Sequence, residues 1–87
     1  MTYKIRLTME ANENYSKADS ILKKKLSKCF KILQISPRDY PQIKPLKGEF
    51  AGKYRFRVGD YRVIYTIDDQ KSEVIILLII HRSQAYR

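Results

Sequence analysis

A mostly antiparallel four-stranded sheet with two N-terminal helices packed on one face, an α+β domain, is the fold this sequence predicts. Three observations carry it. Apolar residues recur at helical spacing between positions 22 and 33. The period changes to two beyond position 53, and Gly59-Asp60, between two alternating segments, is a two-residue hairpin signal. With 87 residues the chain has room for one domain, 1–87, and one modest core.

Tyr3, Ile5 and Leu7 alternate with Lys4 and Arg6, the pattern of a short half-buried strand. Thr8 can cap a brief helix over residues 9–15, whose apolar face (Met9, Ala11, Tyr15) is thin. Ser16 followed by Asp19 fits a capping box for the next helix. There Leu22, Leu26, Cys29, Phe30 and Leu33 form one stripe, with Lys23, Lys24, Lys28 and Lys31 largely off it. Ser36-Pro37 ends this helix, because the residue before proline is pushed out of the α region. Residues 37–49 hold all three prolines and read as a connecting loop. Beyond it, Tyr54, Phe56 and Val58 alternate with Lys53, Arg55 and Arg57, giving a strand with one apolar and one cationic face. Tyr61 to Ile67 is the return strand, and Asp68 to Lys71 a second turn. The last strand, from Glu73 to about Arg82, is almost continuously apolar and is therefore expected inside the sheet. No predicted element covers the second sheet face.

Charge is the outlier of the composition. Eighteen Lys and Arg against nine Asp and Glu give a net +9, a field that attracts nucleic acid or an acidic protein partner. Cys29 is the only cysteine, sits on the helical stripe and reads as a small packed hydrophobe. Without a CxxC or a Cys/His cluster, neither a metal nor another cofactor is expected. The longest apolar run, Val74 to Ile80, has seven residues, far short of the roughly 20 a membrane helix requires. The N-terminus has no apolar signal core, so the expected compartment is the cytoplasm, with no membrane partner. A Gly-rich phosphate loop, a nucleophile elbow and paired carboxylates are all missing, and Asp68-Asp69 reads as turn chemistry.

The cations are grouped. Hairpin pairing brings the Arg57 region beside Arg62, and the last strand delivers Arg82, with Tyr86 and Arg87 beyond it. Such a cluster with one aromatic suits RNA, since planar guanidinium forks bind phosphate oxygens bidentately. RNA cleavage by its own 2′-OH requires a base, cations for the pentacoordinate phosphate and an acid for the leaving 5′-oxygen. The alternative is a solvated edge strand protected from aggregation by its charges. His81, the only histidine, suits a general base by residue type. In a regular strand, however, it faces away from Arg82, and a lone histidine at a strand end is more often structural.

Three runs resemble the RelE/ParE toxin superfamily: Leu46-Lys47-Gly48, then Tyr54-Arg55-Phe56-Arg57-Val58-Gly59-Asp60-Tyr61-Arg62-Val63-Ile64-Tyr65, then His81-Arg82-Ser83-Gln84-Ala85-Tyr86-Arg87. The resemblance covers residues 46–87 well and the helices before them more loosely. It implies a RelE-like fold and a type II toxin that cleaves mRNA in the ribosomal A site. It further implies an acidic RelB-like antitoxin that wraps the toxin, and operator DNA as a partner of the toxin–antitoxin complex. Arg55, Arg57, Arg62, Arg82 and Tyr86 fall on the family's catalytic positions, with Lys47, Lys53 and Arg87 as further RNA contacts. Where the best-known RelE ribonuclease has lysines, this chain has Arg55 and Arg57, and arginine does not serve as a base. Proton removal is then left to Lys53, His81, Tyr86 or a group of the ribosome or substrate. The sequence ends at Arg87 without the extra C-terminal helix of some relatives, so Tyr86 is expected to be positioned by the ribosome. The rival is a ParE-like poison of DNA gyrase without ribonuclease activity; the Arg82 and Tyr86 pairing favours the ribonuclease.

Overall fold

The computed structural model describes residues 2–84. Along the chain run β1 (Lys4–Leu7), α1 (Met9–Ser16), α2 (Ser20–Ile35), β2 (Ile43–Pro45), β3 (Tyr54–Val58), β4 (Tyr61–Asp68) and β5 (Glu73–His81), with 3₁₀ turns at Gly48–Phe50 and Arg82–Gln84. The sheet order is β1-β5-β4-β3-β2, antiparallel throughout except for the parallel β1–β5 pair. Both helices lie on one face, α1 over β5 and α2 over β1 and β3. No helix among the described residues is long and apolar enough to cross a membrane.

Five strands stand where the sequence predicts four. The additional one, β2, lies in the segment read as loop and pairs Ile43 with Phe56. It is three residues long and ends on Pro45, a proline position compatible with an edge strand only. A second difference concerns the start of α2. Its N-cap is Asp19, whose carboxylate accepts the Leu22 N–H at 2.8 Å, whereas Ser16 closes α1 and its hydroxyl donates to the Glu13 carbonyl. The short aspartate satisfies an orphan amide of the first turn without a capping box.

Ala11, Leu26, Cys29 and Leu33 from the helices pack against Phe56, Val58, Val63, Tyr65, Val74, Ile76 and Ile79 from the sheet. Cys29 is enclosed there, and burial pushes its thiol well above the usual range, leaving it a small apolar side chain. Tyr65 is fully buried and its hydroxyl donates to the Pro37 carbonyl at 2.7 Å, which anchors the end of the α2 connection. Outside the core, Arg38 grips Asp69 with two hydrogen bonds of 2.6 and 3.1 Å, and the Tyr3 hydroxyl donates to the same carboxylate at 2.9 Å.

The register of β5 breaks once. Ile64 pairs with Leu78 but the next residue, Tyr65, pairs with Ile76, so Leu77 is a bulge without a ladder partner on either side. Helix α1 supplies what the ladder leaves out. Thr8 caps α1 by accepting the Ala11 N–H at 3.1 Å, and the same hydroxyl donates to the Leu77 carbonyl at 3.1 Å. The Asn14 side chain accepts the Ile79 N–H at 3.0 Å. The bulge inverts the alternation: Val74 and Ile76 face the helices before it, Ile79 faces them after it.

Thr8→Val keeps the shape of the side chain and removes the hydroxyl. Losing the cap and orphaning the Leu77 carbonyl should cost about 1 to 3 kcal/mol in urea denaturation, with Thr8→Ser close to wild type. A second expectation concerns acid. The Arg38 guanidinium, then the Tyr3 hydroxyl, hold the Asp69 carboxyl below its usual range. A depressed folded value means the stabilisation is present above the ordinary carboxylate value of about 3.9 and decays as pH falls below it. Asp69→Asn should therefore melt at a lower temperature than wild type at neutral pH, with the gap closing as the solution is acidified through that range.

Candidate active site on the open sheet face

The β3–β4 hairpin turns on Gly59-Asp60. Gly59 has φ +57° and Asp60 does not share the positive sign, the pattern of a type II′ turn whose twist suits the flanking strands. This tight turn fixes the register, and the register sets Arg57 directly opposite Arg62 and Arg62 beside Ile80. With Phe56 and Val58 buried toward the helices, the alternating Arg55 and Arg57 belong to the other face. Two arginines across a ladder repel one another, so the fold places cations together at a cost in stability.

Each guanidinium is held differently. Arg55 donates through Nη1 to the Gln42 carbonyl at 2.8 Å. Arg62 turns back onto its own hairpin, donating from Nη1 to the Gly59 and Tyr61 carbonyls at 3.1 and 3.0 Å. Arg82 lies just past β5 rather than in it, as the first residue of the 3₁₀ turn. Its backbone N–H donates to the Asp60 carbonyl at 2.7 Å, and its Nε stands 3.8 Å from the Asp60 carboxylate. Arg57 is exposed, and its side chain makes no hydrogen bond or ion pair among the described residues. The carbonyl tether of Arg55 leaves its positive charge intact while restricting the guanidinium, so an oriented cation stands beside the exposed Arg57.

Beside the arginines the same face carries a hollow of about 290 Å³ lined by Leu46, Phe50, Lys53, Ile64, Leu77, Leu78, Ile80 and Gln84. Ile64 is only 6% exposed yet does not belong to the helix-side core. The Gly48–Phe50 turn partly roofs this side, which the sequence leaves uncovered. Leu77 and Leu78 both reach the hollow because the bulge lets two consecutive residues face one side. Periodicity cannot reveal that in an all-apolar strand, so the hollow, Phe50 and Gln84 have no sequence signal.

The other predicted site residues are distributed as follows. Lys53 lines the hollow on the arginine side, and Lys47 is exposed at the start of the Gly48–Phe50 turn. His81 sits on the helix face, paired with Tyr61 in the ladder and edge-on to its ring at 5.4 Å. Its Nδ1 accepts the Ser83 N–H at 3.2 Å and lies 2.9 Å from the Ser83 hydroxyl, which assigns the neutral ring to the Nε2–H tautomer. The structure therefore brings Lys53, Arg55, Arg57 and Arg62 onto one face with Arg82 at its rim, and separates His81 from them. Tyr86 and Arg87 lie outside the described residues.

Residues 3–86 match the family model described as the ParE toxin of type II toxin–antitoxin systems, parDE. Toxin RelG of Mycobacterium tuberculosis is 48% identical over 44 residues, covering 51% of this chain and 51% of its own length. The match thus spans about half of that curated relative. Among solved structures, the toxin–antitoxin complex RelBE2 of M. tuberculosis is similar at 35% identity with a TM-score of 0.80, over 94% of this chain and 100% of that one. The archaeal RelE–RelB complex from Pyrococcus horikoshii OT3 is similar at 26% identity with a TM-score of 0.81, over 98% and 100% of the two chains.

Proposed function

From the premise that the chain belongs to the ParE toxin family of type II toxin–antitoxin systems, we propose that it is a RelE-like endoribonuclease cleaving mRNA in the ribosomal A site. The observation that carries this reading is the arginine cluster at the hairpin, with Arg57 opposite Arg62 and Arg82 fastened to the turn between them. In the reaction the 2′-oxygen loses its proton, forms a bond to phosphorus, and the P–O5′ bond breaks as the 5′-oxygen gains a proton. Negative charge grows on the nonbridging oxygens at the midpoint. Arg57, Arg62 and Arg82 are placed to meet that charge, and groups held in advance need little reorganisation when it develops. Arg55 positions the strand through its Gln42 tether and adds charge behind Arg57. Tyr86 is assigned to stacking or proton transfer, and Lys47, Lys53 and Arg87 to backbone phosphates.

Proton removal falls to Lys53, Tyr86 or a group of the ribosome or substrate. Lys53 shares the arginine face, whereas His81 is turned to the helix side with Nδ1 occupied. Action on ribosomes requires the protein to work in the cytoplasm. Its inhibitor would be an acidic RelB-like antitoxin lying over the cationic face, and the joint complex would bind operator DNA. The solved relatives that are complexes with RelB-type partners support the antitoxin part of this assignment. Since the matching family carries the ParE name, poisoning of DNA gyrase is the alternative. A translation extract separates the two: cuts within codons on mapped mRNA 5′ ends support the ribonuclease, and lost supercoiling without RNA cuts supports the gyrase poison.

Arg57→Ala tests the site most cleanly, because the side chain makes no hydrogen bond or ion pair among the described residues. Cleavage in the extract should fall roughly a hundred- to thousandfold, equivalent to about 2.7 to 4 kcal/mol of transition-state stabilisation. Stability should change by no more than about 0.5 kcal/mol. A variant that cleaves as well as wild type would make the arginines a charged sheet face and nothing more. Association with an acidic antitoxin should also slow markedly with added salt while dissociation changes less, as measured by stopped-flow binding.

A further inference from the structure

The sixteen residues of α2 include five lysines and no Asp or Glu. Their placement works against the helix. Lys24, Lys28 and Lys31 share its solvent side at i, i+4 and i+7, where like charges destabilise. Lys23, Lys24 and Lys25 follow directly on the first turn, near the positive end of the helix dipole, while the last turn, where cations would help, has none. Among the described residues none of the three stripe lysines is in an ion pair. A local arrangement that lowers stability without a structural return points to a ligand. We propose that this lysine row is a second phosphate-docking surface, taking the backbone of double-helical RNA.

The inference rests on the reading of the chain as an RNA-directed toxin, and adds a contact that the cleavage site does not supply. Tyr15, Lys23, Lys24, Ser27, Lys28 and Lys31 line a shallow trough of about 370 Å³. Its one aromatic is engaged: the Tyr15 ring lies 6.2 Å from that of Phe30, with the Lys23 ammonium 5.7 Å from its own centroid. No free ring is left to stack a splayed base, so the surface reads phosphates alone, as point-charge lysines do. Lys24 to Lys31 spans about 10 Å along the helix. The narrow major groove of A-form RNA sets its two phosphate rows closer together than the major groove of B-DNA, which is about 12 Å wide, so more ammonium groups of such a row can meet phosphates on RNA. The lysine row lies on the helix side and Arg55 and Arg62 on the open side, while Arg57 reaches the β3 edge, where it lines a hollow with Lys25 and Lys28. One RNA segment can therefore hold the body of the protein while another meets the arginines.

The test measures fluorescence anisotropy of a nuclease-resistant 2′-O-methyl RNA duplex as a function of salt, for wild type and for the combined Lys24→Gln, Lys28→Gln, Lys31→Gln variant. With three phosphates no longer neutralised, the slope of log affinity against log salt should become shallower by roughly 2 to 3. A B-DNA duplex of the same sequence should bind wild type more weakly and lose less slope. The denaturation midpoint of the variant should hold or rise, since repulsion is removed. An unchanged RNA slope overturns the proposal. Equal losses toward B-DNA or polyglutamate also overturn it, assigning the row to anions in general. A variant with Arg57→Ala and Arg62→Ala should keep the duplex slope, and if it alone loses that slope, duplex binding belongs to the sheet face. Should wild type fail to cut mRNA while the lysine variant shows the expected slope change, the cleavage reading fails and this one stands.

Discussion

The arrangement of the whole open face depends on one unpaired residue, Leu77, and on the hydroxyl of Thr8 that satisfies its carbonyl. Strict alternation through β5 would carry the inward phase of Val74 and Ile76 on to Leu78 and Ile80. His81 would then project among the arginines, and Ile80 would leave the ladder position beside Arg62. With the bulge, Ile79 enters the core and His81 follows it to the Tyr61 ring, while Ile80 reaches the arginine side. The twist a bulge adds is useful at the rim of a sheet. It depends here on α1, because beyond Ile76 that side of β5 has no strand beside it and takes its partners from Thr8 and Asn14. The thin helix α1 therefore covers the core with Ala11 and also braces the free side of β5.

What the sequence discloses follows from where alternation is chemically marked. In β3 every outward position is cationic and every inward one apolar, so both the strand and the grouping of Arg55 and Arg57 are legible from residue types. The α2 stripe is legible for the same reason at a different period, and its members Leu26, Cys29 and Leu33 are buried. In β5 all residues from Val74 to Ile80 are apolar, so a change of phase leaves no trace in the pattern, and the hollow it creates is invisible. Strand β2 escapes because a three-residue edge preceded by Pro41 and ending in Pro45 has the composition of a loop. Its pairing is decided by the buried Ile43 against Phe56, a long-range contact that no local propensity encodes. The N-cap of α2 is ambiguous in sequence between Ser16 and Asp19 because both residue types cap helices, and only the end of α1 decides between them.

The electrostatics of the two layers have a common logic. A chain with a net charge of +9 has few carboxylates to spare, and the ion pairs among the described residues sit at the margins of the fold. Arg6 meets Glu73, Arg38 meets Asp69, and Arg82 is near Asp60 with both side chains about two-thirds exposed. Pairs of this kind contribute little to stability. They clip strand ends and turns in place instead, and none of the three involves Arg55 or Arg57. Arg55 is tethered to a carbonyl oxygen, and two of the contacts made by Arg62 are to carbonyl oxygens as well. A carbonyl orients a guanidinium without cancelling its charge, and a carboxylate would do both.

That distinction explains how Arg55 can be ordered and keep its charge. An unrestrained arginine loses rotamer entropy each time it closes on a phosphate, on the order of 1.5 to 2 kcal/mol for a long side chain. Tethering Arg55 and Arg62 settles much of that cost during folding, before any anion arrives. The repulsion between Arg57 and Arg62 works in the same direction. It raises the energy of the pair and would be relieved by negative charge between them. The relief is greatest where the anion carries the most charge, which for a phosphodiester is the pentacoordinate state rather than the ground state. Cations set across one ladder therefore favour an anion of higher charge over one of lower charge, and the fold accepts a lower stability to hold them together.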